Sequence, residues 1–400
     1  MMKEIYLDNA ATSKPQPRTL ACAQRFVELF TNPELSASDI TRQMRGFLLD
    51  ARQQVAKFIG CDTDEVALVQ NTTHGLGIIA NAIPLEKGDN ILICDLEYQA
   101  STVCWKPRIY HVGAELREVK NVNGAITAAD FEAAMDDRTK AIMLASVQEI
   151  NGYRADVKEI AALCRRRGVY LAIDGVQEVG AMKVDVHDLG VDFYTAGAKK
   201  WIGNPFGTGF LYIRRELIPQ LDPMYYGYFS MKFPEKFSDY VSYLEDPARN
   251  PFDDVGIIDD ATKFEIMGFA NYLGALGLCE AMQVQLDVGQ ENIEHHIKML
   301  NKRLVKGLGA LGIQMCSPVD EAHMSSIASF NFGFPHGNID REKKLVTYLQ
   351  ERGIKVSLRS STGTGGIRIS MHWYNTPEEI DALVSGIGDY MREFSVTQDR

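Results

Sequence analysis

The 400-residue sequence lacks the features that would place a protein in a membrane, in an oxidising compartment or on a polyanion. No apolar run approaches the roughly 18 residues of a membrane-spanning helix, and the first residues do not follow the basic-then-apolar pattern of a signal peptide. The seven cysteines form no CxxC pair, so we expect neither a disulfide framework nor a zinc site. The formal net charge is −11, which argues against nucleic acid or anionic membranes as main partners. We therefore expect a cytoplasmic protein.

Between about residues 50 and 215 the sequence alternates short apolar runs with helical patterns. The runs are apolar throughout and bounded by turn residues, as is typical of strands buried on both faces. This alternation predicts an α/β fold with a mainly parallel sheet covered by helices. The predicted strands are 65–70, 90–95, 141–147, 169–174, 192–197 and 209–214, and the predicted helices are 74–83, 127–135 and 156–168.

The second half of the chain follows a different pattern. Residues 217–260 are rich in proline and aromatic residues and predict an irregular connection, which is followed by a long helical pattern from Tyr272 to Leu308. Strand patterns at 325–334 and 366–372 and helical patterns near 341–353 and from Thr376 then predict a smaller α+β unit. The predicted organisation is an N-terminal segment at 1–17, a large domain at 18–255 and a small C-terminal domain at 256–400.

One candidate anion site lies where a predicted strand runs into a helix, in VQNTTHGLG (69–77). The free amides of a helix N-terminus, together with the hydroxyls of Thr72 and Thr73, are suited to phosphate. The same Asn-Thr-Thr sequence is also a good helix N-cap, so both interpretations stay open.

Two further candidates follow the next predicted strands. Asp174 in AIDGVQEVG (172–180) stands at the carboxyl end of a strand, where open α/β sheets bind ligands; the alternative is an N-cap. Lys199 and Lys200 stand in GAKKWIGNPFGTG (197–209), where desolvation lowers the pKa of a lysine and enables it to form a Schiff base. The alternative is a solvated pair of lysines.

Two arginines, Arg359 and Arg368, flank a Gly/Ser/Thr loop in KVSLRSSTGTGGIRIS (355–370). Arginine binds carboxylates through two parallel hydrogen bonds, although surface ion pairs are an alternative. Pyridoxal phosphate (PLP) needs a lysine for its aldehyde, an acid for its pyridine nitrogen and a phosphate cup, and its amino-acid substrate needs an arginine. The four motifs together therefore match the requirements of this one cofactor.

In order and content these motifs resemble the class V aminotransferase family of PLP enzymes, which contains cysteine desulfurases, cysteine and cystine lyases and isopenicillin N epimerase. The resemblance implies the fold type I architecture and a homodimer with active sites at the subunit interface. It is carried by YLDNAATSKP (6–15), NTTHG (71–75), IDGVQEVGAMKVDV (173–186), KKWIGNPFGTGFLYI (199–213) and RISMHWYNTPEEID (368–381).

The resemblance also implies roles for single residues. Lys200, which precedes Trp201, would form the Schiff base, and Asp174 would keep the pyridine nitrogen protonated. Lys199 replaces the usual histidine and would place a positive charge near the phosphate. Gln177 would bond the ring oxygen. The remaining implied contacts are Thr73 and the amides of Thr72 and His74 at the phosphate, Tyr98 on the ring, and Arg368 on the substrate carboxylate with help from Asn9, Ala10, Ala11 and Arg359.

Several positions depart from the family pattern. Desulfurases carry a nucleophilic cysteine in the loop before the carboxylate-binding arginine, whereas this loop reads SSTGTGGI and the nearest cysteine is Cys316. Gly197 replaces a serine that often binds phosphate, and Thr195 is the candidate to compensate. A Met-Gly-Phe sequence at 267–269 replaces a motif that usually precedes a phosphate-binding threonine of the partner subunit. Tyr98, where desulfurases have histidine, and the segment 147–157 are closer to the epimerase branch.

The leading interpretation is therefore a β-eliminating C–S lyase that acts on a cysteine-like or S-conjugated amino acid and needs no persulfide cysteine. An epimerase or aminotransferase for a larger amino acid is the alternative, with Tyr98 as a candidate second acid–base group. A cysteine desulfurase ranks third. A non-catalytic scaffold is disfavoured because the lysine, the aspartate and the arginine are all retained.

Overall fold

A seven-stranded sheet lies at the centre of the chain in the computed structural model, which describes residues 4–227, 230–234, 236–237, 240–250, 256–265, 268, 270–333 and 338–395. The strands are β1 (Ile5–Tyr6), β2 (Val66–Val69), β3 (Asn90–Cys94), β4 (Glu115–Val119), β5 (Thr139–Ala145), β6 (Tyr170–Asp174), β7 (Phe193–Gly197), β8 (Gly209–Ile213), β9 (Ile327–Phe330), β10 (Ile354–Lys355), β11 (Ser357–Ser361) and β12 (Thr364–Ser370). The α-helices are α1 (Pro17–Leu20), α2 (Cys22–Thr31), α3 (Ala37–Ile59), α4 (Thr72–Ala82), α5 (Gln99–Val103), α6 (Lys106–Val112), α7 (Ala128–Ala134), α8 (Val157–Arg167), α9 (Val186–Leu189), α10 (Tyr240–Leu244), α11 (Tyr272–Val288), α12 (Gln290–Ala310), α13 (Ile339–Glu351) and α14 (Pro377–Glu393), and short 3-10 helices span Thr63–Glu65, Arg215–Gln220 and Ala261–Phe264.

The central sheet has the strand order β2-β8-β7-β6-β5-β3-β4. Strands β4, β3, β5, β6 and β7 run parallel to one another, and only β8 runs antiparallel to its neighbours β7 and β2. The predicted mainly parallel sheet is therefore confirmed, as are all six strands predicted between residues 65 and 214. Because β2 runs in the same direction as β7, the carboxyl ends of six strands meet at one edge.

Both faces of this sheet are covered by apolar side chains. Successive residues of a strand point to opposite sides, and apolar residues occupy both sets of positions. Ile142 and Ile173 belong to one buried cluster, and their neighbours Met143 and Ala172 belong to another. Helices α3, α7, α8 and α11 contribute to the first cluster and α4 to the second. Burial on both faces explains why these strands read as continuous apolar runs in the sequence.

A second core is built from the C-terminal part of the chain. The antiparallel sheet β11-β12-β9 packs with α12, α13 and α14 through residues such as Leu304, Leu349 and Leu383. The N-terminal strand β1 pairs with β10, and Leu7 is fully buried in this same core. The N-terminus is thereby held against a part of the protein that lies about 350 residues away in sequence.

The structure adds elements that the sequence patterns did not indicate, namely α2, α3, β4, β10 and β11. Strand β4 lies at the edge of the sheet and reads ELREV, so it lacks the apolar run that marked the other strands. The predicted helical stretch from Tyr272 to Leu308 is two helices, separated at Gly289, whose φ of 91° lies in the region that favours glycine.

The predicted domain boundary near residue 255 lies outside the described residues, as do Met267 and Phe269 of the substituted Met-Gly-Phe sequence. Helix α11 follows that boundary in the sequence, yet Leu278, Ala281 and Met282 belong to the core of the central sheet. The division into domains at 255 stays a prediction. Among the described residues, no helix is long and apolar enough to cross a membrane.

The packing of α11 makes a prediction about stability. Leu278 is fully buried in the large core, so Leu278→Ala should lower the free energy of unfolding by about 3 kcal/mol, the cost of lost burial plus a cavity. Met299→Ala, at a position on α12 that is 46% exposed, should change it by no more than about 0.5 kcal/mol. Urea denaturation of both variants checks this, and equal effects would contradict the assignment of α11 to that core.

Candidate active site

The carboxyl edge of the central sheet carries a cavity of about 520 Å³. Loops after parallel strands meet at this edge, which is where open α/β sheets bind ligands. The cavity is lined by the loops that follow β2, β3, β6 and β7. Its lining residues are Gln70, Asn71, Thr72, Thr73, Tyr98, Ala100, Asp174, Val176, Gly197, Ala198, Lys199, Lys200, Gly207 and Thr208.

Asp174 and Lys200 both line this cavity, and their opposite charges interact. Asp174 ends β6 and is 4% exposed, and its Oδ1 accepts a hydrogen bond from the amide of Val176 at 3.0 Å. Burial raises the pKa of Asp174 to about 6. Burial also lowers the pKa of Lys200 to about 8, although the negative charges of Asp174 and Glu149 oppose this shift. The lowered pKa increases the fraction of the Lys200 amine that is neutral, hence nucleophilic, near neutral pH.

The turn that presents Lys200 is fixed by the residue after it. Trp201 is buried, and its indole Nε1 donates to Oε1 of Gln177 at 2.9 Å. Its carbonyl oxygen accepts hydrogen bonds from Gln285 and from Nε2 of His372. Burial lowers the pKa of His372 to about 3, so this imidazole stays neutral and keeps its position at the turn at physiological pH. The backbone of Lys200 is thus held by three elements that are distant in sequence.

Helix α4 begins at the cavity, in the segment for which the sequence predicts an anion site. The Asn71 side chain caps it by accepting from the amide of His74 at 2.9 Å. The amides of Thr72 and Thr73 precede the first intrahelical hydrogen bonds, and both residues line the cavity. The hydroxyl of Thr72 accepts a hydrogen bond from the amide of Gly197 at 2.9 Å. The predicted N-cap is therefore observed, and the anion site at the same turn stays a prediction.

Two of the residues predicted at the phosphate lie elsewhere. The amide of His74 is bonded to Asn71, and burial lowers the pKa of its imidazole. Thr195 is fully buried within β7 and donates to the carbonyl oxygen of Phe210 at 2.8 Å. The structure does not bring Thr195 to the cavity, because its side chain lies on the face of the sheet that packs against Gly75 of α4, and its hydroxyl is used by Phe210 of the neighbouring strand. Lys199, by contrast, lines the cavity with an exposed side chain.

Tyr98 and Gln177 border the space next to Lys200. Tyr98 is 55% exposed and lines both the large cavity and a small adjoining one, in which Gln177 and Asp174 also participate. The Nε2 atom of Gln177 donates to the carbonyl oxygen of Ala10 at 3.2 Å. The N-terminal segment is therefore tied to the loop after β6.

The structure places the residues predicted to bind a substrate carboxylate in different environments. Arg368 on β12 is 1% exposed and contacts Glu149, which lines the small cavity, whereas Arg359 on β11 is exposed and donates to the carbonyl oxygen of Leu358. Asn9 is fully buried and holds the N-terminal segment by donating to the Ser370 carbonyl oxygen at 2.8 Å. The amide of Ala10 donates to Ser370 Oγ at 3.0 Å, and the amide of Ala11 donates to the Asp8 carbonyl oxygen at 3.1 Å.

The sequence analysis missed two acids that engage Arg368. Nη1 of Arg368 donates to Oε2 of Glu149 at 3.1 Å, and Nη2 donates to Oδ1 of Asp8 at 3.2 Å. Glu149 lies shortly after the end of β5, and Asp174 is the last residue of β6. An acid near the carboxyl end of a buried strand was therefore the sequence signal that could have identified Glu149. The sequence analysis also did not identify Gly207 and Thr208, which lie in the connection between β7 and β8 and line the cavity.

The residues at this edge fit PLP. A lysine with a lowered pKa, a buried carboxylate and the first turn of a helix line one cavity, and an arginine is buried beside it. These are the groups that the cofactor and an amino-acid substrate need. Among the described residues, no group of three or more His, Cys, Asp or Glu side chains is placed to hold a metal ion.

Comparison with known proteins gives the family. The fold and the site define a PLP-dependent enzyme of fold type I, and the sequence matches the family model for aminotransferase class-V over residues 5–383. The chain therefore belongs to the class V aminotransferase family. This finding confirms the predicted family, fold class and cofactor.

The relatives and structural neighbours carry the names of cysteine desulfurases and of a cystine C–S lyase. A probable cysteine desulfurase of Methanothermobacter thermautotrophicus is 27% identical over 95% of this chain and 92% of its own, and a cysteine desulfurase of Haloferax volcanii is 28% identical over 97% and 89%. The cysteine desulfurase structure of Thermococcus onnurineus superposes with a TM-score of 0.83 at 22% identity over 98% and 95% of the two chains. The cystine C–S lyase C-DES, solved with its product cysteine persulfide, gives 0.84 at 22% identity over 97% and 98%.

The electrostatics of the cavity make a prediction about pH. The neutral fraction of the Lys200 amine should rise with pH through a midpoint near 8, because its pKa is about 8. Asp174→Asn removes a negative charge that favours the ammonium form, so the midpoint should move to lower pH. The labelling rate of Lys200 by acetic anhydride in cofactor-free protein, followed by mass spectrometry, measures the midpoint. An unchanged or higher midpoint in the variant would contradict this electrostatic assignment.

Proposed function

We propose that the protein is a β-eliminating C–S lyase that acts on a cysteine-like or S-conjugated α-amino acid. The observation that carries the proposal is a cavity with a base but no thiol. Lys200 lines the cavity, and none of the seven cysteines does. The loop between β11 and β12 also contains no cysteine. A β-elimination requires a base and a leaving group on the substrate, and it requires no protein thiol.

In this proposal each residue of the site has one task. Arg368 binds the substrate carboxylate, which sets the orientation of the bonds at Cα. Lys200 Nζ removes the Cα proton, and the Asp174 carboxylate holds a proton on the pyridine nitrogen of the cofactor. PLP, when bound, supplies the electron sink that makes the Cα proton acidic. The first turn of α4, with Thr72, Thr73 and the nearby charge of Lys199, holds its phosphate.

The bond changes of the proposed reaction balance without an external oxidant or reductant. The Cα–H electron pair becomes the Cα–Cβ double bond as the Cβ–S bond breaks, and the thiolate leaves with the electrons of that bond. Water then converts the released aminoacrylate into pyruvate and ammonia. Lys200 returns the abstracted proton to solvent or to the leaving group, so its amine is ready for the next cycle.

A cysteine desulfurase is the second candidate, because relatives that cover nearly the whole chain carry that name. Such an enzyme would need a thiol that reaches the substrate sulfur. Cys316 is the cysteine nearest in sequence to the loop between β11 and β12, and its Sγ lies 3.3 Å from the Gly365 carbonyl oxygen. Burial raises the pKa of Cys316 to about 11, so its thiol is protonated and weakly nucleophilic at neutral pH.

We also propose that the protein works as a homodimer in the cytoplasm, with the active site at the subunit interface. The class V resemblance supports this, and so do the exposed apolar side chains Leu20, Val27 and Phe30 near the N-terminus. Analytical ultracentrifugation tests the dimer, which a single species of about 45 kDa, the mass of one chain, would contradict.

The two adjacent lysines provide a matched pair of variants. Lys200→Ala should abolish the visible absorbance band of the lysine-bound cofactor, because the amine that bonds the aldehyde is lost. Lys199→Ala should keep the band and weaken cofactor binding by about threefold to tenfold through the loss of one charge near the phosphate. Absorbance spectra and equilibrium titration with PLP measure both effects, with circular dichroism as a folding control. Survival of the band in Lys200→Ala would disprove the assignment.

Product analysis separates the candidate reactions. With cysteine, cystine or S-conjugates of cysteine, we expect equimolar pyruvate and ammonia, unchanged by Cys316→Ser. Alanine together with a persulfide on the protein would identify a desulfurase, and sensitivity to Cys316→Ser would locate the acceptor. Deuterium incorporation at Cα with recovery of both enantiomers would instead support the epimerase alternative, in which Tyr98 is the second acid–base group. Mass spectrometry of products and intact protein distinguishes these outcomes.

A further inference from the structure

The hydrogen-bonding capacity of Arg368 is almost fully used within the protein. A guanidinium group has five N–H donors. Its Nε donates to Ser357 Oγ at 3.2 Å, and Nη1 donates to the carbonyl oxygen and to Oε2 of Glu149 at 3.2 and 3.1 Å. Nη2 donates to Oδ1 of Asp8 at 3.2 Å. Four of the five donors therefore have partners, and two of the acceptors are carboxylates.

This arrangement leaves a single N–H, on Nη2, for a ligand. Bidentate binding of a carboxylate requires two parallel N–H groups. A third carboxylate would also bring a further negative charge to a guanidinium that is only 1% exposed and already paired with two acids, which is costly in a buried site. One of the two acids must therefore release Arg368 before a substrate carboxylate can bind in this way.

Glu149 is the acid whose position fits this exchange. It lines the small cavity next to Lys200 together with Asp174 and Gln177, whereas Asp8 lines neither cavity. The two acids have similar side-chain exposure, 18% for Glu149 and 22% for Asp8, so the choice between them depends on the position of Glu149 beside Lys200. Asp8 belongs to the N-terminal segment, which is held by β1 and by an isolated bridge to Ser370 on β12.

We propose that Glu149 is a specificity-determining residue whose carboxylate occupies Arg368 in the free protein and is displaced by the α-carboxylate of the substrate. This inference rests on the proposed function insofar as that function assigns the substrate carboxylate to Arg368. Only a ligand with its own carboxylate can replace the ion pair that it breaks. The exchange therefore selects α-amino acids over simple amines that would otherwise react with the same cofactor.

The test compares Glu149→Gln with the native protein, using ligands that have no leaving group. Glutamine keeps the shape of the side chain but removes the charge that competes for Arg368. We expect L-alanine to bind the variant holoenzyme about tenfold more tightly, the size expected for one charged hydrogen bond, as measured from the change in cofactor absorbance. Acetate, at constant ionic strength, should raise the melting temperature of the cofactor-free variant more than that of the native protein.

Two control variants make the outcome specific. Glu132→Gln removes a charge from an exposed position on α7 and should leave both measurements unchanged. Asp8→Asn also removes a negative charge from Arg368 and should strengthen alanine binding, but by less than Glu149→Gln does, because Glu149 must still be displaced. Equal or weaker alanine binding by a folded Glu149→Gln variant, or a larger gain in Asp8→Asn, would overturn the proposal. Neither ligand undergoes C–S cleavage, so failure of the lyase assignment would leave this result intact, and the reverse also holds.

Discussion

The organisation of the site depends on the hydrogen bonds and ion pairs of the buried Arg368 guanidinium. It joins the N-terminal segment through Asp8, the loop after β5 through Glu149 and the neighbouring strand β11 through Ser357. A positive charge that is 1% exposed requires such partners. Because these partners come from three parts of the chain, the charge of one side chain couples the central sheet, the C-terminal sheet and the N-terminus at the place where substrate is proposed to bind.

The reactivity of the site depends in turn on desolvation. The pKa of Lys200 falls to about 8 while that of Asp174 rises to about 6, and burial is the largest cause in both cases. The two pKa values approach each other because each group loses hydration, and the attraction between the two charges limits both pKa shifts. Trp201, fixed by Gln177 and His372, holds this geometry without placing another charge nearby.

The departures from the family pattern lie in segments that surround the site, whereas the fold itself matches the family. The loop between β11 and β12 has no thiol, and position 197 is a glycine, at which an added Cβ would lie 3.1 Å from Thr72 Oγ1. A serine at position 197 would therefore crowd the start of α4. Such changes alter what the site accepts without altering the sheet, because loops at the strand ends can vary while the core that positions them is kept.

The sequence by itself determined the parallel sheet, its six apolar strands, the family and six of the fourteen residues that line the cavity, because strands buried on both faces and residues at strand ends leave local signals. It did not reveal the polar edge strand β4, which lacks an apolar run, or the partners of Arg368, which lie up to 360 residues away. It also proposed Thr195 as a candidate phosphate ligand, whereas the Thr195 hydroxyl donates to the carbonyl oxygen of Phe210 on the neighbouring strand β8. Only the tertiary structure decided these points, since the direction and ion pairing of a side chain depend on what the fold packs against it.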